Sequence, residues 1–325
     1  MPSKWNEFRE GLFGVFYKLK EQRSSKKTKS TLDAFRLSIL FLIDAGQVMH
    51  SLVQDSFGWE YSIIDFIRRI DVLDLLFKMI NGGTVPLDTM FYITLSCIGI
   101  MFLCVGLIMR IFQRGSSSHT GIILLLRFLN TVMVNTFLVS VLRYLLFPLL
   151  CNDDTVSVSI WLRGPGAACR PWATPEVGIT APCLGVFMLF VAYSFAASLL
   201  SIEVSPLSRL PADLSCGRVE AGWVLLRLVA ALLSQIQDAF SSVGAAGGAS
   251  VIATSLLAHH LRSLPFHSAP FNILRGSIYA CVLWTSLSSV LVSTFSKKAD
   301  TSYMQWGLVA LMPVAFLLGG VATQL

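Results

Sequence analysis

Residues 183–233 hold three segments of opposite character. CLGVFMLFVAYSFAASLL (Cys183–Leu200) and VEAGWVLLRLVAALL (Val219–Leu233) are almost wholly apolar, and SIEVSPLSRLPADLSCGR (Ser201–Arg218) separates them. The break holds two prolines that cannot continue a helix, Pro206 and Pro211. It also holds Glu203, which ends the first apolar run, and Arg209 and Arg218, which suit a membrane–water boundary. Apolar blocks of this length cross lipid as helices, since about 20 residues at about 1.5 Å rise span a hydrocarbon core of about 30 Å. The turn between them is then a rigid connector at the inner face.

Composition extends this reading to the whole chain of 325 residues. Hydrophobic residues make up 54% and charged residues 14%, and mean hydropathy is +0.68. Soluble domains carry about 25% charged residues, so this chain lacks the polar surface to cover itself in water. Backbone amides within lipid must be satisfied internally, and the short alternating segments of a barrel are absent from the sequence. The expected fold is therefore all-α, a polytopic transmembrane helix bundle. Eight spans are read, at about 31–53, 88–112, 120–149, 178–202, 219–237, 242–261, 272–295 and 303–324, with seven as the competing count. The third is long enough to tilt or to project from the membrane. The fifth and sixth are the weakest, because SSVGAAGGAS (Ser241–Ser250) suits either a tight hairpin or a loop entering the bilayer.

Charge sets the expected orientation. The formal net charge of +6 does not indicate nucleic acid, because the basic cluster KLKEQRSSKKTK (Lys18–Lys29) lies directly before the first span. Its simplest role is to hold that end in the cytoplasm against anionic lipid. With the amino terminus inside, fourteen lysines and arginines from Lys4 to Arg275 fall on the inner side. Seven fall outside, Lys297 and Lys298 among them. Residues 1–30 are thus a basic cytoplasmic segment that retains an uncleaved first span, and 31–325 the transmembrane domain, expected in the plasma membrane. The chain ends GGVATQL on an apolar span, which is read as truncation before cytoplasmic domains.

Two outer segments stand out. In WEYSIIDFIRRIDVLDLLFKMI (Trp59–Ile80), Ile63, Phe66, Ile67, Ile70, Val72, Leu73, Leu76 and Phe77 recur at helical spacing between acids and arginines. That pattern predicts an amphipathic helix over 59–80, lying in the interface or packed on the other spans. The outer loop 151–176 is bracketed by Cys151 and Cys169, in a compartment that permits disulfides. Closing that loop of ~18 residues would contribute about 3 kcal/mol, with Cys183 a rival partner for either thiol. Cys97, Cys104, Cys183 and Cys281 fall within spans, where a thiol behaves as a small apolar group.

Chemistry-bearing motifs are scarce. The chain has no Gly-rich phosphate loop ending in Lys-Ser/Thr, no H-E-x-x-H and no paired C-x-x-C, so no catalytic residues, metal ligands or cofactors are assigned and the chain is not read as an enzyme. His259, His260 and His267 are expected to be solvated at the inner face. Ionisable residues within spans are the sharper signal, since charge in hydrocarbon faces a partner or a cavity. Arg36, Arg127 and Arg143 lie near span ends, where long side chains snorkel to the interface. Asp44, in FLIDAGQVMH, and Arg227, in WVLLRLVAALL, lie deeper, and Glu220 shares a helix face with Arg227 two turns back. Asp44 is expected to pair with Arg227 or Arg143, as a structural staple or as part of an ion or signal path. Asn130, Asn135, Gln235, Gln237 and Asp238 are the polar positions available to line such a path or to join helices.

The turn Glu203, Pro206-Leu207-Ser208, Pro211, Arg218-Val219 resembles the polytopic region of the tiny macrocysts family, large membrane proteins of protists and green algae. LRSLPFHSAPFNILRGSIYACVLW (Leu261–Trp284) is similar to that family's Leu-Pro-Phe-Tyr turn followed by Asn, Arg and a Trp-bearing span, with His267 replacing the aromatic residue. LRYLLFPLLC (Leu142–Cys151) is a weaker likeness. Together these cover about 120–320, the membrane region only. The resemblance implies a non-catalytic sensory, signalling or scaffold module that couples the membrane to cytoplasmic PAS-type domains missing from this chain. Its partners would be the lipid bilayer, such domains in cis or trans, and a second copy in a homo-oligomer. The alternative is an ion channel or transporter using the intramembrane Asp and Arg residues.

Overall fold

The computed structural model describes residues 6, 10–16, 30–53, 57–68, 87–113, 120–150, 177–200, 217–233, 242–266, 268–295 and 302–324. Among these the chain is all-helical, without strands. The helices are α1 (Ser30–Leu52), α2 (Tyr61–Arg68), α3 (Leu87–Gln113), α4 (Thr120–Asn130), α5 (Leu138–Leu150), α6 (Val177–Leu199), α7 (Gly217–Leu233), α8 (Ser242–Ser263), α9 (Ala269–Phe295), α10 (Ser302–Ala310) and α11 (Met312–Gln324). Five helical segments are long and apolar enough to cross a membrane: Met90–Gln113, Pro182–Leu199, Ser242–Ser263, Ala269–Phe295 and Ser302–Gln324. Counted as one span, a bent pair brings the number among the described residues to six. Large side chains such as Leu103, Leu189 and Leu317 stay exposed along these helices. Apolar patches on this scale suggest an integral membrane protein with a lipid-facing surface.

The central helix is α9, packed against α1, α8 and α11. Its inward residues include many small ones, among them Gly276, Ser277, Thr285, Ser286, Ser289 and Ser293, and such residues let helices approach closely. The approach is closest to α11. A Cβ placed on Gly319 would lie 2.6 Å from the Ala280 Cβ and 2.6 Å from the Gly276 carbonyl oxygen. α10 and α11 form one span-length segment, Ser302–Gln324. Pro313 removes one N–H from the ladder, but Leu311 N–H still donates to the Gly307 oxygen at 3.2 Å and Ala315 N–H to the Leu311 oxygen at 3.1 Å.

Several expectations change. The third apolar block is bent, not one straight helix. A π-helical turn, Thr131–Thr136, separates α4 from α5, and the two arms are bent by 82°. The π register shows in two hydrogen bonds: Phe137 N–H donates to the Val132 oxygen at 2.9 Å, and Thr136 Oγ1 donates to the Thr131 oxygen at 2.8 Å. The sixth span, read at 242–261, is the continuous helix α8, so Ser242–Ser250 is helical and neither a hairpin nor an entering loop. The amino-terminal segment is not simply a solvated tail. Residues 10–16 are helical, with Val15 and Phe16 in the main core. Gly11 and Gly14 there lie against Met109 and Phe112.

Within the expected amphipathic helix, the described part α2 buries Ile63 and Ile67 against Val53, Phe57, Trp59 and Val292. Phe66 packs on Trp306 with ring centroids 5.9 Å apart. This part is thus docked on the bundle. The loop leading into it is pinned by Trp59 Nε1–H donating to Ser289 Oγ at 3.1 Å. Gln305 adds two bonds: its Oε1 accepts from Glu60 N–H at 2.7 Å and its Nε2 donates to the Gly58 oxygen at 3.0 Å. Gly58 takes φ 85°, a left-handed conformation that suits glycine.

Candidate functional site

The polar centre of the bundle is built where α1, α7, α9 and the π turn meet. Asp44, buried at 2% exposure, faces α7 and receives two donors from it. Arg227 Nη1 lies 3.2 Å from Asp44 Oδ1, and Trp223 Nε1–H donates to Asp44 Oδ2. Trp223 and Arg227 are four residues apart, one helical turn, so both reach the same carboxylate. Arg227 Nη1 also donates to the Val134 oxygen at 2.9 Å and contacts that of Asn135 at 3.4 Å. Both carbonyls belong to the π turn, whose displaced ladder turns backbone acceptors toward a side chain. The expectation that Asp44 pairs with Arg227 or Arg143 thus resolves to Arg227.

A second pair lies one layer away. Arg275 Nη2 donates to Glu220 Oε1 at 2.8 Å and Oε2 at 2.9 Å. The Arg275 carbon Cζ sits 4.1 Å from the centre of the Phe41 ring, 5.0 Å from that of Trp223 and 5.4 Å from that of Tyr279. Stacked aromatic faces stabilise a desolvated guanidinium by about 2 kcal/mol. Trp223 therefore touches both pairs, bonded to Asp44 and lying under Arg275. Glu220, in the first turn of α7, also gains from the positive end of that helix.

Two inner-face assignments are corrected here. Arg275, counted among the cytoplasmic basic residues, is 1% exposed. His260, expected in solvent, is fully buried: its Nε2 meets the Asn272 oxygen at 2.9 Å and its ring packs edge-on against Tyr279. Both lie inside because Asn272 clamps the turn between α8 and α9. Its Nδ2 donates to the Phe266 oxygen at 2.8 Å, and its Oδ1 accepts from Phe266 N–H at 3.0 Å. His259 and Arg262 are exposed.

Arg143 also departs from expectation. It is 1% exposed and donates from Nη2 to Ser51 Oγ, within the bundle. Asn135 points its side chain outward and Asn130 is half-buried, so neither forms a lining ring. Asp238, Gln235 and Gln237, the turn residues Glu203, Pro206, Arg209 and Pro211, and the outer Cys151 and Cys169 lie outside the described residues. So does the side chain of Arg218. Cys183 is a buried thiol.

Many hydroxyls in the bundle bond back to their own helix. Ser194, Ser250, Thr285 and Ser293 each donate to the carbonyl four residues earlier, at 2.8, 2.9, 2.9 and 2.6 Å. These groups are satisfied without lining a path. The arrangement can hold charge in a fixed place and join helices across the bundle. No family model matches the chain, and no curated protein or solved structure matches it.

Proposed function

We propose that this chain is an integral membrane module of a sensory or scaffold protein. Its eight helical segments cross or enter the bilayer, the amino terminus and proline-bearing turns face the cytoplasm, and the membrane is the plasma membrane. The observation carrying this reading is the pairing of each buried acid at the polar centre with an arginine, Asp44 with Arg227 and Glu220 with Arg275, around the shared Trp223. An ion path needs sites that fill and empty, whereas these carboxylates are occupied by the protein's own cations. Paired buried charges fix one arrangement of helices, a use of buried polar groups attested in coiled-coil register. The module is non-catalytic and presents the inner turn Glu203–Arg218 to cytoplasmic domains of the PAS type, as the resemblance to the tiny macrocysts family implies.

Two measurements test it. Purified protein in liposomes, under potassium and proton gradients with fluorescent reporters, is expected to leak no faster than empty vesicles. A flux abolished by Asp44→Asn would replace this proposal with the transporter reading. A photo-reactive residue at Arg209, in native membranes, is expected to cross-link a cytoplasmic sensory domain; products with lipid alone would remove the coupling role.

A further inference from the structure

Two contacts fix how α1 runs beside the third apolar block. Near one level Asp44 meets Arg227, which also holds the Val134 carbonyl; further along, Ser51 meets Arg143. As α1 advances from 44 to 51 its partners advance from Val134, in the π turn, to Arg143, in α5, so α1 and α5 run in the same direction beyond the bend. Gln47 lies three residues beyond Asp44 on the same face, and Ser140 lies three residues before Arg143. Each step is about 4.5 Å of helix rise. Gln47 and Ser140 therefore occupy the layer between the two hydrogen-bonded ones.

Both are 1% exposed. Neither amide atom of Gln47, nor Ser140 Oγ, nor Arg227 Nε has a hydrogen-bond partner among the described residues. Ser140 differs in this from Ser51, Ser194 and Ser250, which bond back to their own helix. Unsatisfied groups of this kind are costly in an apolar interior, and three in one layer with Arg227 Nε of the next call for a partner. The layer offers donors from the Gln47 amide, Ser140 hydroxyl and Arg227 Nε, and acceptors from the Gln47 carbonyl and Ser140 oxygen. An occupant must both donate and accept, and must be small.

We infer that this layer is an internal hydration site: bound water held by Gln47, Ser140 and Arg227 Nε, bridging the Asp44–Arg227 layer to the Ser51–Arg143 layer. Buried waters make about three hydrogen bonds each to groups otherwise left unsatisfied, and this set supplies them. The site lies against the π turn, where inserted water commonly accompanies a bent helix. It stands whether or not the module serves a sensory protein.

Gln47→Leu and Ser140→Ala, measured in detergent by thermal unfolding, test it. Ser140→Ala removes one atom and keeps the helix, so folding is not at risk. If water is bound, each single variant lowers the unfolding temperature by about 3 °C or more, and the double variant loses little beyond the worse single, because both sever one shared network. If the layer is dry, Gln47→Leu leaves the temperature unchanged or raises it, and the inference fails. Exchange of chloride for gluconate is expected to change nothing. A saturable chloride-dependent rise that Gln47→Leu removes would assign the site to an anion and overturn water. An experimental map resolving solvent must show density within hydrogen-bond reach of Gln47 Nε2 and Ser140 Oγ.

Discussion

Removing the Asp44 charge tests the polar centre most directly. Asp44 and Arg227 are each 2% exposed and their nearest atoms are 3.2 Å apart. At an effective dielectric near 20 that separation corresponds to a gross attraction of about 5 kcal/mol, much of it offset by the cost of burying two charges. Breaking a buried pair by neutralising one partner typically costs ~3–5 kcal/mol, since the other charge is left uncompensated. Polar contacts between membrane helices measure lower, about 0.6 kcal/mol on average and up to ~1.7. A charged pair that also binds Trp223 and a backbone carbonyl belongs above that range. Asp44→Asn should therefore destabilise the bundle by about 3 kcal/mol, and Arg227→Gln by a similar amount. Replacing both at once with Leu and Met should return to within ~1.5 kcal/mol of the parent, as apolar replacements of buried pairs do. The residue of the loss comes from the Trp223 N–H and the Val134 carbonyl, which the double variant leaves without partners.

The assay is unfolding by a denaturing detergent in mixed micelles, followed by tryptophan fluorescence. Trp223 sits on both pairs, so its emission reports their loss. A double-mutant cycle on Asp44→Asn and Arg227→Gln is expected to give a coupling above ~2 kcal/mol. Additivity within about 0.5 kcal/mol, the ordinary behaviour of independent sites, would refute the pairing and with it the account of why charge is tolerated here.

Other outcomes follow from the same contacts. Arg275→Lys keeps the charge but loses the planar group stacked on Phe41, Trp223 and Tyr279; it should cost about 2 kcal/mol in the same unfolding titration. Gly319→Val should separate α9 from α11, because a Cβ there already meets Ala280 and the Gly276 carbonyl. Overpacking of that kind costs ~1–3 kcal/mol, read as a lower unfolding temperature, while Gly307→Ala, at an open position, should leave it unchanged. Trp59→Phe removes the bond to Ser289 and should cost about 1 kcal/mol, with faster proteolysis of the 57–68 segment. Peptide mapping without reductant should recover Cys151 joined to Cys169; two unlinked thiols would rule that bridge out.

Much of the helical plan was legible in the amino-acid order, because helix formation in an apolar block depends on neighbours along the chain. The apolar runs predict helices whose ends agree with α1, α3 and α6 to within a few residues. Asp44, Glu220 and Arg227 were also visible as misfits, since each is a charge set among apolar neighbours. α1 and α7, which carry the pair, are not among the span-length helices, because the apolar stretch of α1, Ser38–Leu52, is short and α7 has 17 residues.

Contacts between distant segments set the rest. Nothing local separates Arg227 from Arg143 as the partner of Asp44, and the choice follows from α7 lying beside α1. Arg275 and His260 read as cytoplasmic because each stands near a proline-bearing turn; Asn272 folds that turn back and carries both into the interior. The 82° bend has neither glycine nor proline at 131–137 to announce it. Its π turn is stabilised from outside, by an arginine more than ninety positions away that takes the freed carbonyls. A chain reports its own propensities residue by residue, but a hydrogen bond between segments far apart has no trace in either one alone.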